Sequence, residues 1–346
     1  MSLAILFGGK SFEHEISIVS AIAVSKVLKQ NTIFIFLDND RNFYNIDKSK
    51  MNTKLFSSGE YKKEVKLDIS NGGFYSKSLF GTKSLEFDIV LNLCHGGDGE
   101  DGKLASLFDF FGIKYIGPRT EASVMSCNKY LTKLYAKDKN VNVIDYEYVD
   151  LNSSNLDNTI ISYPAIIKPA KLGSSIGVSI IKSKDELEYA LDSAKEYDNE
   201  AIIEPYFDGI LEYNLAGCKV NGEYKLSIIE EPTKDGMLDF DKKYMDFNRT
   251  AKTNEADIGD ELASKIQDAF KSIYEARFEG SLIRCDFFVK DEIVYLNEIN
   301  SIPGSMANYL FDGFEEIIDG LKNSLPYTTN INVTYEYVNH IQSNKK

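Results

Sequence analysis

Polar side chains recur at alternate positions in two short stretches of the last third of the chain. Arg284 and Asp286 are two residues apart, and Glu298 and Asn300 repeat this spacing. Because successive side chains of a strand point to opposite faces, each pair would lie on one face of its strand. If the two strands form a hairpin, Asp286, Glu298 and Asn300 offer the hard oxygen ligands that Mg²⁺ combines with phosphate and water. Arg284 would stabilise charge that develops on a reacting oxygen. The alternative is a strand pair with one solvated polar face.

A lysine at the end of an apolar run precedes a turn rich in glycine and serine. Lys168 ends this run, and residues 171–177 read Lys-Leu-Gly-Ser-Ser-Ile-Gly. Backbone N–H groups of such a turn can close over phosphate oxygens, and a lysine adds positive charge. The pattern favours a phosphate-binding turn, with an ordinary hairpin turn as the alternative.

Two other stretches resemble nucleotide-binding motifs without satisfying them. Residues 9–11 read Gly-Lys-Ser, like the end of a Walker A loop, but Ala4 occupies the position of the required first glycine. Residues 97–102 fit the GxGxxG pattern, with Glu121 about 20 residues further on. Three carboxylates inside that loop would repel a pyrophosphate, so the sequence argues against a dinucleotide site.

The same loops suit a zwitterionic ligand, because open α/β sheets bind ligands at the carboxyl ends of their strands. Glu13, His14 and Glu15 open a helix and can accept hydrogen bonds from an ammonium group. His95 can donate to a carboxylate. A locally bonded structural histidine and favourable helix-terminus electrostatics at Glu15 are the alternatives.

Hydrophobic periodicity predicts the elements that position these residues. Apolar runs at residues 3–7 and 33–37 read as buried strands, and residues 15–28 between them read as a helix. A further strand at residues 88–94 leads through the glycine loop and a helix to a short strand at 114–116. This order predicts an α/β fold that opens with a parallel, doubly wound sheet.

The remaining chain reads as two α+β halves. Ser183 and Glu186 have the spacing of a helix capping box. The other predicted elements are a helix at 121–139, a hairpin at 164–168 and 178–181, a strand at 200–204, several strands from residue 212, a helix at 261–277 and a hairpin at 282–289 and 293–299.

Composition limits the possible classes of protein. A chain of 346 residues exceeds the usual single domain, so two or three domains are expected. A net charge of -14 argues against nucleic acid or an anionic membrane as partner. The 4 cysteines form no CxxC pair, so neither a disulfide framework nor a zinc site is expected. No apolar run approaches the roughly 20 residues of a membrane span, and we expect a cytoplasmic protein.

Seven motifs occur in one order along nearly the whole chain. They are residues 7–9 (FGG), 14–17 (HEIS), 95–102 (HGGDGEDG), 168–169 (KP), 173–177 (GSSIG), 284–286 (RCD) and 297–300 (NEIN). Together they resemble the signatures of the D-alanine:D-alanine ligase family of the ATP-grasp superfamily. The resemblance implies a Rossmann-like substrate-binding domain at residues 1–120, a central ATP-grasp subdomain at 121–210 and a C-terminal ATP-grasp subdomain at 211–346 that carries the metal and catalytic residues.

The resemblance also implies roles for individual residues. For ATP these are phosphate contacts from Lys129, Lys168, Ser175 and Lys243, backbone contacts to adenine from Glu204 and Phe207, and a ribose contact from Glu212. For the first D-alanine they are a network of Glu15, Ser174 and Tyr244 around the ammonium group, and His95 at the carboxylate. For the second half-reaction they are an oxyanion site of Arg284 and the Gly304 N–H, and a second-substrate site at Tyr309 and Leu310. The implied ligands of two Mg²⁺ ions, which Mn²⁺ could replace, are Asp286, Glu298 and Asn300.

The implied reaction joins two D-alanine molecules through a D-alanyl phosphate, giving D-alanyl-D-alanine, ADP and phosphate for peptidoglycan precursors. A D-alanine:D-lactate ligase and a non-catalytic nucleotide-binding protein remain alternatives, and a homodimer remains open. Two residues depart from the family pattern. Pro205 replaces a usual lysine, and Tyr309 replaces a serine expected at the second substrate. The Tyr309 hydroxyl could replace the serine contact, or the ring could pack against nearby phenylalanines.

Overall fold

The computed structural model describes residues 2–78, 81–153, 162–232, 253, 255–275, 277–329 and 331–343. Within these ranges the α-helices are α1 (His14–Val27), α2 (Thr53–Ser57), α3 (Lys103–Phe110), α4 (Thr120–Cys127), α5 (Lys129–Asp138), α6 (Leu187–Lys195), α7 (Asp260–Tyr274), α8 (Phe314–Lys322) and α9 (Glu336–Ser343). Short 3-10 helices span Lys48–Lys50, Glu60–Lys63, Lys184–Glu186 and Gly304–Leu310.

The strands fall into three sheets. The first sheet contains β1 (Leu3–Gly8), β2 (Thr32–Leu37), β3 (Phe43–Ile46), β4 (Val65–Ser70), β5 (Gly73–Ser78), β6 (Gly81–Ser84), β7 (Ile89–Asn92) and β8 (Tyr115–Ile116). The second contains β9 (Glu147–Asp150), β10 (Ala165–Pro169), β11 (Ser179–Ile181) and β12 (Glu200–Pro205). The third contains β13 (Leu211–Val220), β14 (Glu223–Glu230), β15 (Ile283–Lys290) and β16 (Ile293–Asn300).

The first sheet is doubly wound at its centre, as the sequence predicts. Its order is β6-β5-β4-β3-β2-β1-β7-β8, and β2, β1, β7 and β8 run parallel. The side chains of β1 divide between two apolar clusters, one shared with α1 and the other with α3. Helices therefore cover both faces, which explains why β1 is buried along its whole length.

The sequence analysis overlooked the other half of this sheet. Strands β3 to β6 pair antiparallel with one another and with β2, so the sheet is mixed rather than parallel. Strands joined by a loop of a few residues, such as β4 and β5, have no room for the crossover that parallel pairing requires. The exposed side chains of β4 and β6 gave no apolar run to detect.

The second sheet is antiparallel throughout, in the order β11-β10-β12-β9. The predicted hairpin of β10 and β11 is confirmed, with Ala165 opposite Ile181. Helix α6 covers one face of the sheet, and its buried residues Leu187 and Leu191 form a separate apolar cluster with the strands. The predicted capping box at Ser183 is not formed, since the Glu186 carboxylate accepts from the N–H of Lys182 instead.

The third sheet has the order β14-β13-β15-β16 and is antiparallel. Helix α7 packs Phe270, Ile273 and Tyr274 against it, and this core is continuous with the α1 face of the first sheet. The single helix expected at residues 121–139 is divided, because the Asn128 side chain accepts the N–H groups of Tyr130 and Leu131 and caps α5.

No helix among the described residues is long and apolar enough to span a membrane. The region after residue 324 contains the exposed helix α9.

Candidate active site

A cavity of about 940 Å³ lies where the loops of the first sheet meet one face of the third. The loops that follow β1 and β7 form one wall, the turn that follows β10 forms another, and the third sheet supplies polar side chains. Among the lining residues are Glu13, His95, Glu100, Lys129, Ser174, Glu212, Asn214, Glu230, Arg284, Asp286, Glu298, Asn300, Gly304 and Tyr309.

The hairpin of β15 and β16 has the predicted arrangement. Arg284 pairs with Asn300, and Asp286 pairs with Glu298. The guanidinium of Arg284 donates to both carboxylate oxygens of Asp286, from Nε at 2.7 Å and from Nη2 at 2.8 Å. Asn300 Nδ2 donates to Asp286 Oδ2 at 2.9 Å. Burial raises the pKa of Asp286 more than Arg284 lowers it. A further cation beside this carboxylate would lower the pKa and favour the charged form.

The row of polar residues extends across the sheet beyond the predicted positions. Asn214 on β13 lies opposite Asp286 on one side and opposite Glu230 on the other. Asn214 Nδ2 donates to Glu230 Oε2 at 3.1 Å. Sequence reasoning missed Asn214 and Glu230, because their positions depend on strand pairings that no local pattern specifies.

The donor set suits a magnesium ion that also binds phosphate. Two carboxylates, Asp286 and Glu298, and the amide of Asn300 line the cavity on adjacent strands. In the described part of the chain no three His, Cys, Asp or Glu side chains surround a common point. Mg²⁺ commonly binds one or two protein carboxylates and completes its coordination with phosphate and water. A partial set of protein ligands such as this one is therefore typical of a magnesium site.

Two lysines share one buried carboxylate between the second and third sheets. Lys168 Nζ lies 2.6 Å from Glu204 Oε2 and 3.3 Å from Asn297 Oδ1, and Lys133 Nζ pairs with Glu204 Oε1. Burial alone would raise the pKa of Glu204, but Lys168 and Lys133 lower it to about 2. Lys133 has an exposed fraction of only 1% and was missed by the sequence analysis, which offers no motif for it.

The other predicted nucleotide contacts lie around this cluster. Lys129 Nζ donates to the carbonyl of Leu172 in the glycine-rich turn, where Ser175 has a φ of 60°. The ring of Phe207 is half-buried, and Lys290 Nζ lies over it at 3.9 Å from the ring centroid. Lys243 and Tyr244 fall outside the described residues.

The structure corrects the expected partner of Ser174. Ser174 Oγ donates to Glu13 Oε1 at 2.6 Å, whereas Glu15 is exposed. Residues two apart on a helix point about 200° from one another, so the first turn of α1 cannot direct both side chains into the cavity. Burial raises the pKa of Glu13, and the bond from Ser174 opposes that shift.

His95 is buried in the cavity wall. Its Nε2 lies 2.9 Å from Ser20 Oγ, and burial lowers its pKa to about 4. The imidazole is therefore neutral at pH 7 and has at most one N–H to donate. The same Ser20 hydroxyl accepts the N–H of Ser305 at 3.0 Å, which links helix α1 to the segment after β16.

Glu100 is a second link that the sequence analysis overlooked. Its carboxylate accepts the N–H of Gly96 at 2.7 Å and the N–H of Ile302 at 3.2 Å. Burial and the neighbouring charge of Glu13 raise its pKa to about 8. The loop brings Glu100 here because Gly99 touches the backbone of Cys94: a Cβ at Gly99 would lie 1.8 Å from the Cys94 carbonyl oxygen. The GxGxxG pattern thus reflects a close backbone approach.

The segment Gly304–Leu310 lines the cavity beside these loops. Ser305, Met306 and Ala307 all have φ near 50° and form a left-handed turn that L-residues rarely adopt. Tyr309 and Leu310 are buried. The Tyr309 hydroxyl donates to Glu230 Oε2 at 3.5 Å, and burial raises the pKa of Tyr309 to about 12.

A doubly wound domain, two antiparallel α+β sheets and a shared cavity with lysines, carboxylates and an arginine together define an ATP-grasp ligase. Family models for the N-terminus and C-terminus of D-ala D-ala ligase match residues 2–118 and 136–313. The chain belongs to the D-alanine–D-alanine ligase family.

Individual relatives agree with this assignment. The chain is 56% identical to the D-alanine–D-alanine ligase of Sulfurovum sp. (strain NBC37-1) and 55% identical to that of Wolinella succinogenes, over 100% of this chain and 99% of each relative. The crystal structure of D-alanine–D-alanine ligase from Helicobacter pylori has a TM-score of 0.85 and 48% identity, covering 95% of this chain and 100% of that one. The VanG D-Ala:D-Ser ligase from Enterococcus faecalis has a TM-score of 0.74 and 25% identity, covering 93% and 98%.

The buried cluster of Lys133, Lys168 and Glu204 leads to a prediction about stability. Glu204→Gln leaves two ammonium groups in one buried space. We therefore expect the free energy of unfolding, measured with urea at neutral pH, to fall by about 3–5 kcal/mol. The lowered pKa of Glu204 stabilises the folded state above its ordinary pKa of 4.5, and this contribution disappears as pH falls towards about 2. The difference between variant and unmodified protein should therefore shrink on acidification. The exposed Glu188→Gln is the matched control, and equal stabilities for both variants would contradict the prediction.

Proposed function

We propose that this chain joins two D-alanine molecules through a D-alanyl phosphate formed from ATP, with residues of the described cavity in the roles set out below. The observation that carries the proposal is the arrangement of Arg284, Asp286, Glu298 and Asn300 on one hairpin face inside that cavity. A nucleotide-binding protein without catalysis would not need a buried arginine beside a set of oxygen ligands.

The nucleotide would lie between the second and third sheets. Lys129 and Lys168 come from elements on the second sheet's side of the cavity and would contact ATP phosphates, with Ser175 contributing from the turn. Glu204 and Phe207 would meet adenine through their backbone, and Glu212 would hold the ribose. Asp286, Glu298 and Asn300 would hold Mg²⁺ on the phosphates, where the ion would neutralise charge during phosphoryl transfer.

The first D-alanine would bind against the loops of the first sheet. Glu13 would accept from its ammonium group, replacing Glu15 in the expected network with Ser174, and His95 would face its carboxylate. That carboxylate attacks the γ-phosphate, the bond to the β-phosphate oxygen breaks and ADP leaves. The second D-alanine, once its ammonium group has lost a proton to solvent, then attacks the acyl carbon of the D-alanyl phosphate through its amine. Arg284 and the Gly304 N–H would stabilise the oxyanion that forms, and phosphate would leave. Lys243 and Tyr244 would act from outside the described residues.

The second substrate would lie near Tyr309 and Leu310. The ring of Tyr309 belongs to the same apolar cluster as Phe311 and Phe314, as the packing alternative expects, while its hydroxyl donates to Glu230 and so points into a polar region. This favours a hydroxyl contact to the substrate carboxylate. We place the domain boundaries near residues 120 and 210, and the end of the N-terminal family match at residue 118 supports the first of them. A cytoplasmic location follows from the need for ATP, and a homodimer stays a prediction.

Phosphate release tests the reaction itself. We expect release to require ATP, Mg²⁺ and D-alanine together, because the metal ligands and the substrate loops line one cavity. Chelation of the metal should abolish release, and mass spectrometry should identify D-alanyl-D-alanine. ATP hydrolysis that does not depend on D-alanine would reject the proposal.

Glu13 and Glu15 form a matched pair that tests the corrected network. Glu13→Gln should lower kcat/KM for D-alanine by roughly 10- to 100-fold, as expected when a hydrogen bond to an ammonium group loses its charge. Glu15→Gln should have little effect, because Glu15 is exposed. A larger loss at Glu15 than at Glu13 would restore the original expectation.

The metal ligands can be tested at limiting Mg²⁺. Glu298→Gln and Asp286→Asn should each lower kcat by at least about 100-fold, because the ion loses an anionic ligand. Asp286→Asn also removes the partner of Arg284, so thermal melting should accompany the assays. Near-normal turnover by both folded variants, together with an unchanged requirement for Mg²⁺, would show that these residues do not hold the metal.

A further inference from the structure

The buried ion cluster of Lys133, Lys168 and Glu204 holds two ammonium groups around a single carboxylate. The functions proposed above use Lys168 and the Glu204 backbone, but they assign no role to Lys133. Burial lowers the pKa of Lys133, Glu204 opposes this shift, and the positive charges of Lys168 and Lys129 add to it. The second lysine is therefore buried at a cost, because one lysine is enough to neutralise the carboxylate.

Strand register and helix spacing bring the three charges together. Glu204 lies opposite Ile166, and Lys168 is two residues further along β10, so Lys168 and Glu204 share one face of the second sheet. The other face packs against α6. Lys133 follows Lys129 by four residues on α5, and residues at this spacing lie on one side of a helix. Helix α5 thus directs Lys129 to the glycine-rich turn and Lys133 to Glu204.

The two lysines of the cluster differ in what they can reach. Lys133 is enclosed, whereas Lys168 has an exposed fraction of 9% and a second partner in Asn297 Oδ1, at 3.3 Å from Nζ. Asn297 is the extra residue at the point where the register of β15 and β16 shifts, and such a bulge redirects a side chain. Because Asn297 directly precedes the proposed metal ligand Glu298, Lys168 lies near the place that metal-bound phosphate would occupy.

We propose that Lys133 is a positioning residue, which keeps Glu204 neutralised while Lys168 moves from Glu204 to the phosphates of ATP. This inference rests on the proposed ligase function. Without Lys133, transfer of Lys168 to phosphate would leave a buried carboxylate without a cation, which is strongly unfavourable. With Lys133 in place, Glu204 keeps one counter-ion and the additional positive charge is neutralised by phosphate.

Repulsion between the two lysines acts in the same direction. The charge of Lys168 disfavours the charged form of Lys133, so the two ammonium groups compete for Glu204. This competition weakens the hold of Glu204 on Lys168 and favours its transfer to an incoming anion. The affinity for ATP would then depend on a side chain that does not touch the nucleotide.

The test measures ATP binding by calorimetry in the presence of Mg²⁺, together with steady-state phosphate release, for Lys133→Met. Lys168 becomes the sole counter-ion of Glu204 in this variant, so it is held more firmly. We expect the Kd and the KM for ATP to rise by roughly 10- to 50-fold. The KM for each D-alanine should change little. Folding should be retained, because a neutral ion pair remains, and thermal melting checks this.

Lys137→Met is the matched control. Lys137 is exposed and lies one turn further along α5. Its Nζ is 4.6 Å from the ring centroid of Tyr146, and Lys133 Nζ is 5.3 Å from the same centroid. The control therefore removes a lysine from the same helix and the same aromatic neighbour, but leaves the ion pairs of Glu204 unchanged. Its constants for ATP should equal those of the unmodified enzyme.

A double variant distinguishes positioning from a purely structural role. Adding Glu204→Gln to Lys133→Met removes the charge that holds Lys168. The double variant should therefore bind ATP more tightly than Lys133→Met alone, by roughly 5- to 20-fold. A structural role for Lys133 predicts no such recovery, because the second substitution would remove a further buried contact.

The outcomes separate this inference from the function on which it rests. An unmodified enzyme that binds ATP without D-alanine-dependent phosphate release would refute the proposed reaction, while calorimetry would still decide the role of Lys133. Unchanged ATP constants in folded Lys133→Met would refute the inference alone. Equal rises in the constants for ATP and D-alanine, or a double variant that binds ATP no better than Lys133→Met, would show that Lys133 only supports the fold. Either result would also overturn the inference.

Discussion

The pairing register of the third sheet is the constraint on which the candidate site depends. Asn214 lies opposite both Glu230 and Asp286, and Asp286 lies opposite Glu298. A slip of one residue in any strand would turn its polar side chains towards the core beneath the sheet, where Phe270 and Tyr274 of α7 pack. Burying unpaired carboxylates there would cost far more than most single contacts contribute. The same register therefore fixes the fold of the sheet and the order of chemical groups along the cavity.

Burial also sets the charge that the cavity presents. Glu13, Glu100 and Asp286 all have raised pKa values, with burial as the largest cause. Their charged forms become more favourable when a cation enters. The proposed reaction brings an ammonium group and a divalent ion to the cavity, so the binding of each would offset part of the cost of burying these carboxylates in charged form. Glu204 differs from these three carboxyls, because Lys168 and Lys133 lower its pKa and keep it ionised without any ligand.

The sequence predicted those parts of the fold and site that local patterns determine. Alternation located the polar faces of β15 and β16, and buried runs located β1, β2 and β7. Prediction from the sequence failed where the position of a strand or side chain depends on a partner distant in sequence. Strands β4 and β6 have few buried side chains and are held by pairing, β4 with β3 and β5 and β6 with β5. Glu230 reaches the site through the pairing of β14 with β13 beside Asn214, and Lys133 through its ion pair with Glu204.

The prediction that Glu15, rather than Glu13, contacts Ser174 was wrong for a different reason. Both glutamates stand beside His14 in the same motif, and the identity of the inward side chain depends on where the helix begins. Sequence patterns locate helix ends only to within a few residues, whereas a shift of two residues reverses the direction of a side chain. The Ser174 hydroxyl, 161 positions away, resolves the ambiguity in the folded protein.

Two bonds join the first sheet's domain to the segment after β16 and help to fix which parts of the cavity wall share one core. Ser20 holds Ser305, and Glu100 holds Ile302, while one apolar core runs beneath both regions. These parts therefore form one packed body. The second sheet has its own core and meets that body at the cavity through side-chain bonds such as Ser174 with Glu13 and Lys168 with Asn297. Water can replace hydrogen bonds of this kind more readily than it can enter a shared apolar core, so the contacts between the second sheet and that body are the part of the cavity wall that a bound ligand can most easily remodel.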